Sequence, residues 1–387
     1  MIEQESNQEV AAPHQRQEYP TSLLHYDLPP ELVPQQPLAD RDASRLMVVH
    51  RQTADIEHRA FRELPDILEP MDFLVLNDGR VMHSRFRCLR ARTGGKVEVL
   101  ITRVLPGSRA ECLTESRGHL QAGDELTLDS QTSFILERPT THENPGIVHI
   151  LRNGVPAPEQ EIRELLQRGE LPLPPYLKER LQDEERYQTT YAASFGSAAA
   201  PTAGLHFTPR IFSRLKERGV DWAMVTLHIG TATFLPIRTD DVTDHRLSPE
   251  GYSMKPTELR RILKAKLSGR RIVAVGTTSV RVLEGVLTDW RRRLQVHGIK
   301  TTRDLEAMND DQLAEAFPLR GDTRLFILPG YRFGVIDHML TNFHLPRTTL
   351  LALVYAFAGR ELIRRAYESA IARRYRFYSL GDSMLIL

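Results

Sequence analysis

An α/β fold carrying a small inserted antiparallel β-barrel is predicted by three observations. After residue 209, apolar runs of strand length alternate with helical patterns, the signature of an α/β sheet. Between about 68 and 152, short strands follow one another through turn residues with no helix between them. Helix-rich sequence flanks that stretch on both sides, so it reads as an insertion. The 387 residues suffice for two domains. The expected organisation is a disordered tail over 1–20, a mixed-sheet α/β domain over 21–67 and 153–387, and the barrel over 68–152.

The elements follow in order. Leu46-Met47-Val48-Val49 is an apolar strand, and 51–69 reads as helical. Phe73-Leu74-Val75-Leu76, ended by the turn Asn77-Asp78-Gly79, is taken as the first barrel strand. Thr93-Gly94-Gly95, Pro106-Gly107-Ser108, Gly123-Asp124 and Asn144-Pro145-Gly146 mark later turns. A charged helix covers 157–168. Thr208-Pro209 is a cap followed by proline at the first helical position, and Gly219 stops that helix. Strands are expected at 222–227, 271–275, 325–328 and 335–340, helices at 256–267, 280–294, 348–358 and 361–373. Residues 295–323 read as irregular. The stretch through Met384-Leu385-Ile386 is apolar enough to pair with the sheet.

Bulk properties exclude several function classes. Hydrophobic residues make up 41% and charged residues 26%, as in an ordinary soluble enzyme. No run approaches transmembrane length, and the acidic, polar start does not resemble a secretory signal. Two cysteines, Cys88 and Cys112, fit a reducing, cytoplasmic setting and cannot make a thiolate zinc site alone. With 51 basic and 50 acidic residues there is no global nucleic-acid footprint, so an RNA contact needs a local basic patch. Arg85, Arg87, Arg90 and Arg92 are the residues considered for one, against a plain solvated face. No metal is expected, because no His-Glu-x-x-His or comparable spacing occurs.

Chemistry is expected at strand ends, where open α/β sheets bind ligands. The strand ending at 227 supplies His228 and Thr231. The strand ending at 275 supplies Thr277, Thr278 and Ser279 at a helix N-terminus, with Arg281 behind them; free N–H groups and hydroxyls there suit a carboxylate or phosphate. The strand ending near 340 supplies Asn342 and His344. The small-residue run 196–208 adds Thr202 and His206, and a loop adds Asp244, His245 and Glu250. The bland reading is helix capping for the first group and structural histidines for the others. Several imidazoles and carboxylates at strand ends favour an acid–base site. Arg41-Asp42-Ala43-Ser44-Arg45 fits an anion site or a structural ion-pair network.

The ordered set of motifs resembles one family. It comprises Tyr26-Asp27-Leu28-Pro29, Arg41-Asp42-Ala43-Ser44-Arg45, the run 196–208, Thr226-Leu227-His228-Ile229-Gly230, Ala274 to Arg281, Thr341 to Pro346, Tyr375-Arg376-Phe377 and Gly381-Asp382. This order is similar to that of the S-adenosylmethionine:tRNA ribosyltransferase-isomerases of queuosine biosynthesis, from about 23 to 387. The resemblance implies an α/β domain with an inserted barrel. It implies transfer and isomerisation of the ribosyl part of S-adenosylmethionine onto 7-aminomethyl-7-deazaguanine at the wobble position of tRNA. Epoxyqueuosine-tRNA forms, and adenine and methionine leave.

On that reading S-adenosylmethionine is a co-substrate, no cofactor is required, and a monomer is expected. The sulfonium acidifies its 5′-methylene, and His228 or His344 is the candidate base, with Asp244 or Glu250 orienting it or acting directly. His206 or His245 would protonate departing adenine. Thr202, Thr231, Thr277, Thr278, Ser279, Arg281 and Asn342 are the substrate-binding candidates. Gly79, His83, Ala232 and Ser248 depart from the family pattern. The alternative is a diverged, non-catalytic tRNA- or RNA-binding paralogue on the same scaffold.

Overall fold

The computed structural model describes residues 18–141, 144–230 and 237–387. Three strands come first: β1 (Arg45–Val49), β2 (Ile56–Ala60) and β3 (Asp72–Asn77). β4 (Gly79–Val81) leads out to β5 (Arg85–Arg90), β6 (Lys96–Leu105), β7 (Arg109–Ser116), β8 (Glu125–Thr127), β9 (Thr132–Arg138), β10 (Gly146–Arg152) and the short β11 (Val155–Pro156). β12 (Ser194–Ser197) returns beside β4 as a parallel pair. The rest are β13 (Asp221–Leu227), β14 (Glu250–Ser253), β15 (Arg271–Val275), β16 (Arg320–Thr323), β17 (His338–Asn342) and β18 (Ser383–Ile386).

The large sheet has the order β16-β14-β13-β3-β15-β17-β18-β1-β2. Its central strands β13, β3, β15 and β17 run parallel, which brings four carboxyl ends to one edge. The C-terminal β18 pairs with the sheet as expected, antiparallel to β17 and parallel to β1. The six strands β10-β7-β6-β5-β8-β9 close into an antiparallel barrel through a β9–β10 pairing. Its strands alternate, turning Phe86, Cys88, Val97, Val99, Phe134 and Leu136 inward. Burial pushes both cysteine thiols up to about 12.

β3 corrects the expected barrel boundary. It lies at the centre of the large sheet, and the barrel strands begin at Arg85. The physical reason is legible in its pattern. Phe73 and Val75 pack into one core while Leu74 and Leu76 pack into the other. A continuous apolar run covered on both faces marks a central parallel strand.

Other differences are local. The expected helix 51–69 is β2 followed by a 3-10 turn and the one-turn helix Leu64–Ile67. Pro65 is tolerated only in a first helical turn, so it bars a longer helix through this segment. The helix expected at 280–294 is two helices, Gly276–Val286 and Trp290–Val296. The 295–323 stretch contains helices Thr302–Ala307 and Asp310–Ala316, each opened by a capping box, and then β16. No strand forms at 325–328, and β17 occupies 338–342 rather than 335–340. Of the expected tail, residues 1–17 lie outside the described residues. Tyr19 is tied to the α/β domain by its N–H, which donates to Asp241 at 2.9 Å.

Candidate active site

The carboxyl edge of the large sheet opens onto two cavities. The larger is a cleft of about 2000 Å³ between the barrel and the α/β domain. His228, His245, Glu250 and Arg281 line it from one side, Glu98 and Arg103 from the barrel. Arg103 reaches across to Asp322 at 3.2 Å. The smaller is a pocket of about 60 Å³ lined by Thr202, Thr277, Thr278, Asn342 and His344 among aromatic walls that include Tyr176 and Tyr378. The end of β13 separates them, since His228 and Gly230 face the cleft and Ile229 faces the pocket. The predicted residues are thus divided between two chambers on one edge. Thr231 and Ala232 lie outside the described residues.

His228 is the best-placed base in the cleft. Its Nδ1 is buried without a hydrogen-bond partner among the described residues. Burial lowers its pKa, Asp78 pulls it back up, and Arg103 opposes that. Asp78 directly follows β3 and is buried, its carboxylate accepting from Thr226 Oγ1 at 2.6 Å and Ser194 Oγ at 3.0 Å. Sequence reasoning took Asp78 for a turn residue. A polar residue directly after an apolar strand was the available signal, and it was used at the other three strands. Gly196 has φ +134°, and a Cβ there would lie 3.0 Å from the His228 ring. Gly196→Ala is therefore expected both to displace the imidazole, lowering kcat on the order of 10²-fold, and to lower Tm through backbone strain; single-turnover kinetics and thermal melts check this.

Of the two predicted carboxylates, only Glu250 lines the cleft. Glu250 is buried and paired with Arg281 through Nη1, and its other oxygen accepts the Gly230 N–H at 2.9 Å. Arg281 Nε donates to the Leu325 carbonyl at 3.0 Å, and burial lowers the guanidinium to about 10. Arg281 accordingly faces the cleft and does not line the pocket beside Thr277 and Thr278. Asp244 is exposed at the end of a 3-10 turn and does not line the cleft. His245 does line it, half-buried and edge-on to Phe326 at 5.9 Å. Ser279 is fully buried, its hydroxyl donating to the Val275 carbonyl at 2.8 Å.

In the pocket, Thr278 Oγ1 is buried and without a partner among the described residues. His344 Nε2 lies 2.8 Å from Thr341 Oγ1, and burial lowers its pKa to about 3. His206 lines neither cavity; it lies behind Asn342, and burial lowers it to about 4. Neither is a strong base. Both bind protons in the unfolded chain near pH 6.5 but not in the folded one, so their contribution is complete above that pH and is lost as pH falls toward 4 and 3. Denaturation midpoints should report a loss of about 1.4 kcal/mol per histidine per pH unit below ~6.5. A flat profile between about pH 7 and 5 contradicts it.

The motif at 41–45 is a structural network. Arg41 donates to the Leu205 carbonyl at 3.1 Å, Asp42 pairs with Arg210 at 2.8 Å, and Arg45 pairs with Asp382 at 3.0 Å. On the barrel, Arg85, Arg87 and Arg90 are paired with Glu98, Glu170 and Asp124. Among the departures from the family pattern, Gly79 sits where a Cβ would come within 3.2 Å of Asn77 Oδ1 and the Leu227 carbonyl. His83 faces Glu184 at 3.4 Å, and Ser248 lines the cleft. Among the described residues, no group of three or more His, Cys, Asp or Glu could hold a metal, and no helix is long and apolar enough to cross a membrane.

Residues 21–386 match the family described as queuosine biosynthesis protein. The chain belongs to this family. An S-adenosylmethionine:tRNA ribosyltransferase-isomerase from Symbiobacterium thermophilum is 44% identical over 368 residues, 95% of this chain and 99% of the relative. One from Desulforamulus reducens is 40% identical over 366 residues, with the same coverage of both. A crystal structure of S-adenosylmethionine tRNA ribosyltransferase from Thermotoga maritima is similar at 32% identity, covering 95% of this chain and 100% of that chain with a TM-score of 0.49.

Proposed function

We propose that the chain is an S-adenosylmethionine:tRNA ribosyltransferase-isomerase. It transfers and isomerises the ribosyl moiety of S-adenosylmethionine onto 7-aminomethyl-7-deazaguanine at the tRNA wobble position, giving epoxyqueuosine-tRNA, adenine and methionine. The observation that carries this is identity above 40% to enzymes of that name over 99% of their length. The two adjoining cavities support it. The open cleft has room for an extruded nucleotide and its neighbours, and the small pocket suits part of S-adenosylmethionine.

In this reading His228 removes a proton from the 5′-carbon beside the sulfonium. The Asp78 carboxylate favours, by its charge, the imidazolium that forms. His245 is the predicted acid that faces the cleft, and it protonates the departing adenine. The reaction written this way asks for no resident metal or cofactor. Incubation with S-adenosylmethionine and precursor tRNA, followed by nucleoside mass analysis, tests it. Epoxyqueuosine with one adenine released per tRNA is expected. Binding of tRNA without adenine release would instead favour a non-catalytic paralogue.

A further inference from the structure

Asn342 stands at the carboxyl end of β17 with its side chain at the wall of the small pocket. The chemistry of its neighbours decides which way its carboxamide points. The Asp382 carbonyl, 3.3 Å away, can only accept, so Nδ2 faces it. The Thr202 hydroxyl, at 2.8 Å, donates to Oδ1. The second Nδ2 hydrogen points to Nε2 of His206 at 3.4 Å, so that ring nitrogen carries a lone pair. Nδ1 of His206 then holds the proton and donates to Ser44 Oγ at 2.8 Å. Burial keeps this imidazole neutral, and its ring packs on Phe61 at 4.9 Å. Both Nδ2 hydrogens are therefore used behind the wall. Toward the pocket there remain a lone pair on Asn342 Oδ1 and the lone pairs of Thr202 Oγ1, which only accept.

We propose that Thr202 and Asn342 form an acceptor-only subsite that receives an N–H group of S-adenosylmethionine, with His206 as the positioning residue that sets its polarity. This rests on the proposed function. The co-substrate carries two such groups, the 6-amino group of adenine and the α-ammonium of methionine. A wall that only accepts rejects a ligand presenting a carbonyl there, because two acceptors then face each other unpaired.

The test is calorimetric binding of three probes: S-adenosylmethionine, S-inosylmethionine with oxygen in place of the 6-amino group, and the analogue lacking the α-amino group. Each is measured on wild type and on Thr202→Val, Asn342→Leu, His206→Leu and His206→Gln. Wild type should bind one analogue about tenfold or more weakly, and which one identifies the group received. That penalty should shrink to about two- to threefold or less in Asn342→Leu and Thr202→Val. His206→Leu should raise KM for S-adenosylmethionine more than it lowers kcat. His206→Gln, which can still accept from Asn342, should restore discrimination. Thr202 is only partly buried, so Thr202→Val keeps the test open if the buried variants misfold. An undiminished penalty in Thr202→Val and Asn342→Leu would overturn the proposal, as would equal binding of all three probes by wild type. Failure of wild type to bind S-adenosylmethionine at all would overturn the functional reading and this proposal with it.

Discussion

His228→Ala is expected to slow adenine release about 10²–10⁴-fold while tRNA binding and Tm stay close to wild type. His228 faces the cleft, its Nδ1 has no partner among the described residues, and the Asp78 charge raises its pKa against burial. A neutral imidazole is the competent form of a base. Burial holds the His228 pKa below its ordinary value of 6.5, so the rate should rise with pH through an acid limb below 6.5 and then level off. The acid limb should vanish in His228→Ala. His344→Gln tests the competing assignment. With its pKa lowered to about 3 and Nε2 engaged by Thr341, His344 is a weak base, and its replacement should leave the acid limb in place. Turnover within a few-fold of wild type in a folded His228→Ala protein would remove His228 from the mechanism.

Arg281→Met should destabilise the protein by about 3–5 kcal/mol. Arg281 and Glu250 are each only 8% exposed, and together they join helix Gly276–Val286 to β14 and to the backbone after β13. Removing the guanidinium leaves the carboxylate buried and short of its main partner, and that desolvation cost is what the variant exposes. The double variant Arg281→Met with Glu250→Leu should recover part of the loss, since an apolar pair of similar volume carries no buried charge. Urea denaturation of the three proteins checks this. A loss below about 1 kcal/mol in Arg281→Met would mean that the pair behaves like a surface ion pair.

Most of what identifies this chain was legible in one dimension. Alternating strand and helix patterns after 209 predicted the α/β sheet, and closely spaced strands and turns between about 68 and 152 predicted the barrel, whose first strand proved to belong to the large sheet. Three of the four reactive strand ends were recognised because polar residues follow apolar runs at His228, Thr277 and Asn342. The fourth, at Asp78, was missed because an Asn-Asp-Gly turn looks the same whether it closes a hairpin or ends a central parallel strand. Sequence positions could not show that Asp244 is exposed, that Glu250 pairs with Arg281 or that the Ser279 hydroxyl donates to the Val275 carbonyl.

The order of residues along the chain determined the elements, the family and the types of group available for catalysis. Only the tertiary structure decided that β3 lies between β13 and β15, that the predicted residues divide between two cavities, and that His206 is buried behind Asn342. Local patterns report which faces of a segment are apolar. Which strands become neighbours, and which polar groups lose water and find partners, depends on contacts between residues hundreds of positions apart.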